Sequence, residues 1–167
     1  NRTAISLPPG VISSIVVTVT AGNATTRKYT INATSLTGSD NAKLKNISVI
    51  MGTKSVRPLH PGTFSRGATY HNPSVTTFNP DICDYVTVIY GFNTIKLTAT
   101  ADYSSVKGIA FTVDGASERV SGATFSGNTG IATITLNKGL INTVDVTVTA
   151  DDGMTQKIYT VYAKLLN

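Results

Sequence analysis

The chain has no tryptophan, one cysteine, two histidines and few charges, and each scarcity removes a class of explanation. A single cysteine, Cys83, allows no internal disulfide, so the fold must rest on its core. Cys83 reads as a buried small hydrophobe, a free thiol or half of an intermolecular bridge, the first being commonest for a lone cysteine. The two histidines, His60 and His71, lack helical i, i+4 spacing and have no carboxylate between them, so they make no zinc motif. No H-E-x-x-H, G-x-S-x-G, Walker loop or Rossmann fingerprint occurs. The expectation is therefore no catalytic residue, no metal and no cofactor. Without tryptophan, and with scattered tyrosines, the chain lacks the aromatic platform on which sugars or bases stack. No apolar run approaches the ~18 residues that span a bilayer. No signal peptide is visible, but Asn1 reads as lying inside a domain, so this says nothing of secretion.

What is present is β structure. Hydrophobic residues make up 41% of the 167, enough for an ordinary core, while charged residues make up only 14%. Thr, Ser and Asn take much of the surface instead, a balance that suits an extracellular or cell-wall β protein and the strand preference of threonine. Segments 15–21, 29–33, 45–50, 85–90, 94–101, 110–113, 131–136, 144–150 and 158–163 are rich in Val, Ile, Thr and Tyr, and most alternate with period two. A further strand is expected at 4–7. Pro8-Pro9-Gly10, Asp114-Gly115, Asn128-Thr129-Gly130 and Asp151-Asp152-Gly153 punctuate these runs as turns. No stretch keeps helical periodicity over three turns. The pattern predicts an all-β sandwich.

The chain also repeats itself. Gly10-Val11-Ile12-Ser13-Ser14-Ile15-Val16-Val17-Thr18-Val19-Thr20-Ala21 is echoed by Gly139-Leu140-Ile141-Asn142-Thr143-Val144-Asp145-Val146-Thr147-Val148-Thr149-Ala150, and Tyr29-Thr30-Ile31-Asn32-Ala33 by Tyr159-Thr160-Val161-Tyr162-Ala163. A spacing of about 130 residues reads as a tandem array. Residues 1–37 are then the last strands of a preceding repeat, 38–41 a linker and 42–167 one complete repeat. The apolar positions Ile5, Leu7, Ile15, Val17, Val19 and Ile31 cannot be buried by so few strands, which predicts contacts from another chain or segment across residues 1–34.

Ala42-Lys43-Leu44-Lys45-Asn46-Ile47-Ser48-Val49, Phe78-Asn79-Pro80-Asp81, Tyr85-Val86-Thr87-Val88, Asn93-Thr94-Ile95-Lys96-Leu97-Thr98-Ala99-Thr100-Ala101, Thr112-Val113-Asp114-Gly115, the block from Asn142 to Gly153, and Lys157-Ile158-Tyr159-Thr160-Val161 follow in order. This series resembles the cadherin-like β-sandwich repeat, an Ig-like module of large surface proteins in bacteria, algae and other microbial eukaryotes. The resemblance spans roughly residues 42–163. It implies tandem Ig-like β-sandwiches, one complete and one partial. It leaves the role open, because such modules serve as spacers, adhesins and enzyme appendages alike. Residues 51–77 depart from the pattern as an insertion of about 20 residues.

Candidate contacts collect in that insertion. Lys54, Arg57, His60, Arg66, Tyr70 and His71 lie on a loop of the kind that carries recognition on a rigid sandwich, here for a partner or a glycan. The competing reading is an edge segment that covers a sheet margin. The net charge of +5 is concentrated nearby, since Lys43, Lys45, Lys54, Arg57 and Arg66 have no acid among them, but no nucleic-acid motif accompanies them. Sequons at Asn1, Asn23, Asn32 and Asn46 are candidate N-glycosylation sites; in so Ser- and Thr-rich a chain their number alone means little. Asp151-Asp152-Gly153 offers two carboxylates where calcium wants six to eight oxygens, and the D-x-N-D-N junction signature of true cadherins is absent. The resulting expectation is a non-enzymatic structural or adhesive repeat of a large extracellular, cell-surface protein. It would assemble into a fibre, appendage or matrix through sheet edges and loops. Its partners would be further copies or neighbouring repeats and glycans, with no nucleic acid and no membrane insertion. The competing function is a carbohydrate-binding or spacer module of a secreted polysaccharide-active enzyme. Cys83 is the candidate intermolecular thiol.

Overall fold

The structure is a computed structural model and describes residues 4–8, 11–35, 38–53, 55–64 and 78–166. The described residues form twelve strands and no helix. The chain divides into two compact units, Asn1–Ser39 and Asp40–Asn167.

The described residues of the first unit form a single hairpin. β1 (Ile12–Thr20) runs antiparallel to β2 (Thr26–Thr34), with Ile15 opposite Ile31 and Val17 opposite Tyr29. Its turn closes where the Ala21 amide donates to the Thr25 carbonyl at 2.8 Å and Ala24 takes a left-handed backbone. The strand expected at 4–7 does not form. A strand there would run into Pro8 and Pro9, which carry no amide hydrogen to extend a ladder.

The second unit is a sandwich of two five-stranded sheets. β3 (Leu44–Met51), β4 (Ser55–Arg57), β7 (Thr94–Ala101), β9 (Val120–Ser126) and β10 (Thr129–Thr135) make the first, ordered β4-β3-β7-β10-β9. β5 (His60–Pro61), β6 (Asp84–Tyr90), β8 (Gly108–Val113), β11 (Ile141–Thr149) and β12 (Gln156–Leu166) make the second, ordered β5-β6-β12-β11-β8. All pairings are antiparallel except β6 with β12, which run parallel.

Period two decides which side chains meet between the sheets. Ile95, Leu97, Ala99 and Ala101 of β7 face Val144, Val146 and Val148 of β11 and Tyr159, Val161, Ala163 and Leu165 of β12, and all are buried. Each large aliphatic chain removed from water contributes about 1.5–3 kcal/mol before chain entropy is counted. Leu44 and Ile47 of β3 both point inward although three residues apart, because the register shifts between Leu44 and Asn46. Gly130 of β10 packs directly under β8: a Cβ there would lie 2.8 Å from the Ile109 Cβ, so a larger residue fits only if its neighbours shift.

One margin of the sandwich is closed by the chain itself. Ser55–Arg57 pairs with β3 in the first sheet, Pro58 and Leu59 cross the gap, and His60–Pro61 pairs with β6 in the second. Leu59 is buried in the core, and the Thr87 hydroxyl donates to the Pro58 carbonyl at 2.9 Å. A segment that changes sheets in this way makes a corner and covers two edges at once.

Candidate functional site

The residues singled out from the sequence separate into several places. Asn1, Lys54, Arg66, Tyr70 and His71 lie outside the described residues. Arg57 and His60 lie on the sheet-changing segment. The Arg57 Nε donates to the Val88 carbonyl at 3.0 Å, and its guanidinium stands 5.3 Å from the centroid of the Tyr90 ring. It is thus engaged with β6, a cation over an aromatic face. His60 is half-buried and sits opposite Val86 in the β5–β6 ladder. Beside Arg57 is a groove of about 390 Å³ lined in part by Asn46, Ser48, Val56 and Phe78.

The sequons at Asn23, Asn32 and Asn46 are exposed. Asn23 shapes the β1–β2 turn, its side-chain carbonyl accepting from the Thr25 amide at 3.2 Å and the Thr25 hydroxyl at 2.6 Å. The Ser14 hydroxyl donates to the Asn32 carbonyl oxygen at 2.6 Å across the hairpin. Cys83 is half-buried against the core just before β6, and its carbonyl accepts from the Thr160 amide at 2.7 Å.

The basic stretch is partly occupied as well. Lys43 pairs with Asp81 at 2.9 Å; that contact raises the lysine pKa and lowers that of the carboxyl, first through the hydrogen bond and then through charge. At the other candidate, the Asp151-Asp152 turn, Asp152 accepts from the Met154 and Thr155 amides, both at 2.8 Å, and from the Thr155 hydroxyl at 2.6 Å. Those bonds lower its pKa. Its oxygens shape a turn. Among the described residues, no three His, Cys, Asp or Glu side chains converge as metal ligands would.

Two constellations were not legible as sites. The first surrounds the Phe78-Asn79-Pro80 corner. Phe78 stacks on Tyr85 with centroids 5.4 Å apart and tilts against Tyr159 at 5.8 Å. The Tyr85 hydroxyl donates to the Asn79 carbonyl and the Tyr159 hydroxyl to the Pro80 carbonyl, each at 2.9 Å. The Tyr159 oxygen also accepts from the Leu44 amide at 3.0 Å. The second is built on buried Asn142. Its carbonyl oxygen accepts from Arg119 and from the Asn137 amide, each at 2.7 Å, and its amide nitrogen donates to the carbonyls of Asn137 and Ala163 at 3.1 and 3.2 Å. Arg119 in turn pairs with Asp114, which also accepts from the Thr143 amide at 2.8 Å.

The first constellation carries a pH signature. Burial pushes the phenols of Tyr85 and Tyr159 above the ordinary value of 10.0. An acid whose pKa is raised by folding holds its proton better in the native state, so its contribution is complete below the unfolded pKa. That contribution declines as pH rises from there through the folded pKa. Urea midpoints are expected to hold steady to about pH 10 and to fall above it, whereas the double variant Tyr85→Phe/Tyr159→Phe should show a shallower fall. Equal alkaline slopes would assign the fall to other groups.

The chain matches the model of the cadherin-like beta sandwich domain over residues 60–164, from β5 nearly to the end of β12. No curated protein and no solved structure gives a significant match. The matched segment covers most of both sheets, including the Phe78 corner and the β11–β12 hairpin, and extends over well over half the chain. The chain therefore belongs to the cadherin-like β-sandwich family.

Proposed function

We propose that this chain is a structural or adhesive repeat of a large extracellular protein, working through burial and edge pairing and not through catalysis. The observation that carries the reading is how the interior of the sandwich is used. It is filled by aliphatic and aromatic side chains; the buried polar side chains Thr87 and Asn142 spend hydrogen bonds on main-chain groups. Such an interior serves rigidity. Family membership supports the same reading, because a cadherin-like sandwich suits an adhesion or load-bearing module outside the cell. No helix among the described residues is long and apolar enough to cross a membrane. Partners on this view are neighbouring repeats, further copies and glycans.

The test is electron microscopy of the protein purified from its native source. Filaments or lattices of domain-sized beads are expected. Monodisperse single particles would overturn the assembling form of the proposal.

A further inference from the structure

The strands of the β1–β2 hairpin repeat the apolar pattern of the β11–β12 hairpin, and only the second has that face buried. Ile15, Val17 and Val19 stand where Val144, Val146 and Val148 stand, and Tyr29, Ile31 and Ala33 where Tyr159, Val161 and Ala163 stand. The registers agree: Ile15 faces Ile31 as Val144 faces Val161, Val17 faces Tyr29 as Val146 faces Tyr159, and Val19 faces Arg27 as Val148 faces Lys157. The turns are related but unequal: Ala21 bonds to Thr25 and Ala150 to Thr155, each at 2.8 Å, so the β11–β12 turn is one residue longer. Yet Val146, Val148, Tyr159 and Val161 are all 0% exposed, while their counterparts Val17, Val19, Tyr29 and Ile31 are 43–52% exposed; Ile15, the counterpart of buried Val144, is half-buried.

The covered copy shows what covers it. β6 runs parallel along β12, β8 runs antiparallel along β11, and the β3-β7-β10 sheet packs on their shared face. We propose that β1–β2 is a closing hairpin that docks onto a cadherin-like sandwich core lacking its own last two strands. One strand of that core lies parallel to β2 and another antiparallel to β1. This rests on the reading of the chain as a repeat of a structural array.

The partner surface follows from the counterpart contacts. It presents an aliphatic sheet in the manner of Val49, Leu97 and Ile134. It also presents a corner that offers a main-chain amide and a carbonyl to the Tyr29 hydroxyl, as Leu44 and Pro80 do to Tyr159. Arg27 stands where Lys157 donates to the Pro80 carbonyl at 2.6 Å, so the same carbonyl type suits it. Two inward positions depart: Ser13 occupies the place of Asn142, and Ser35 that of the buried Leu165.

The probe is residues 42–138 of this chain placed ahead of Gly10 in the otherwise intact protein, so that Gly10 follows Lys138 as Gly139 does. The readout is amide hydrogen exchange, with the unmodified chain as reference. Protection at Ile15, Val17, Val19, Tyr29 and Ile31 is expected to rise about a hundredfold, towards that of β11 and β12. Ile31→Lys, on the apolar face, should abolish the gain, and Thr30→Lys, on the other face, should leave it. A second version carries Ser13→Asn to restore the missing network. Unchanged exchange in both versions overturns the proposal. So does full protection in the unmodified chain, whether concentration-dependent, which would mean hairpins pairing between copies, or concentration-independent, which would mean cover from within the chain. Protection in the chimera with no filaments under the microscope would instead fault the structural reading and leave the docking intact.

Discussion

Replacing Tyr159 with alanine is expected to destabilise the sandwich by about 4 kcal/mol, a large share of the 5–15 kcal/mol typical of a domain. The ring is fully buried and packs on Phe78, while its hydroxyl joins the first strand of the sandwich to the Pro80 corner and so links segments far apart in sequence. Truncation leaves a cavity and strands the Leu44 amide, while the Pro80 carbonyl loses one of its two donors and keeps Lys157. Tyr159→Phe keeps the ring and loses only the bridge, so it should cost about 1–2 kcal/mol. Denaturant midpoints of the two variants, measured on the whole chain, separate packing from hydrogen bonding. Equal losses would mean that the ring itself contributes little.

Asn142→Leu is expected to cost about 3 kcal/mol although it keeps the same side-chain branching, because it leaves buried donors and acceptors without partners. The Asn137 amide loses its acceptor, the Ala163 carbonyl loses a donor, and Arg119 keeps Asp114 but loses its inner contact. Arg119→Met alone should cost less, and the double variant should cost less than the sum of the two, since both act through one network. Strict additivity in a double-mutant cycle would show that Asn142 works through its main-chain partners and not through Arg119.

The strands with strong alternation were legible to within a few residues. Segment 94–101 coincides with β7, and the echoed hairpins appear with the expected apolar faces. β9 was missed because Gly122, with a left-handed backbone, sits in a bulge opposite the Ile131–Thr133 register shift and breaks the pattern. β4 and β5 are three and two residues long and flank Pro58, too short for any periodicity to register. Residues 4–7 alternate well, but alternation reports a face, not a partner. Of the site residues, Asn142 was hidden because asparagine in sequence signals a turn or a sequon, and only the fold shows four neighbouring groups waiting for it. The Phe78-Asn79-Pro80 corner was visible as a motif, but the tyrosines that hold it come from β6 and β12, and no local signal joins them.

The parallel pairing of β6 with β12 has a mechanical consequence. The sandwich is entered near Leu44, whose amide is held by Tyr159 close to the start of β12, and β12 ends at Leu166, towards the opposite end of the same strand. Tension applied between those points therefore acts along the axis of β12. Its ladders to β6 and β11 lie across that axis, so they are loaded in shear, many bonds together, and cannot be opened one at a time like a zip. A sandwich wired this way is expected to yield late and all at once under pulling.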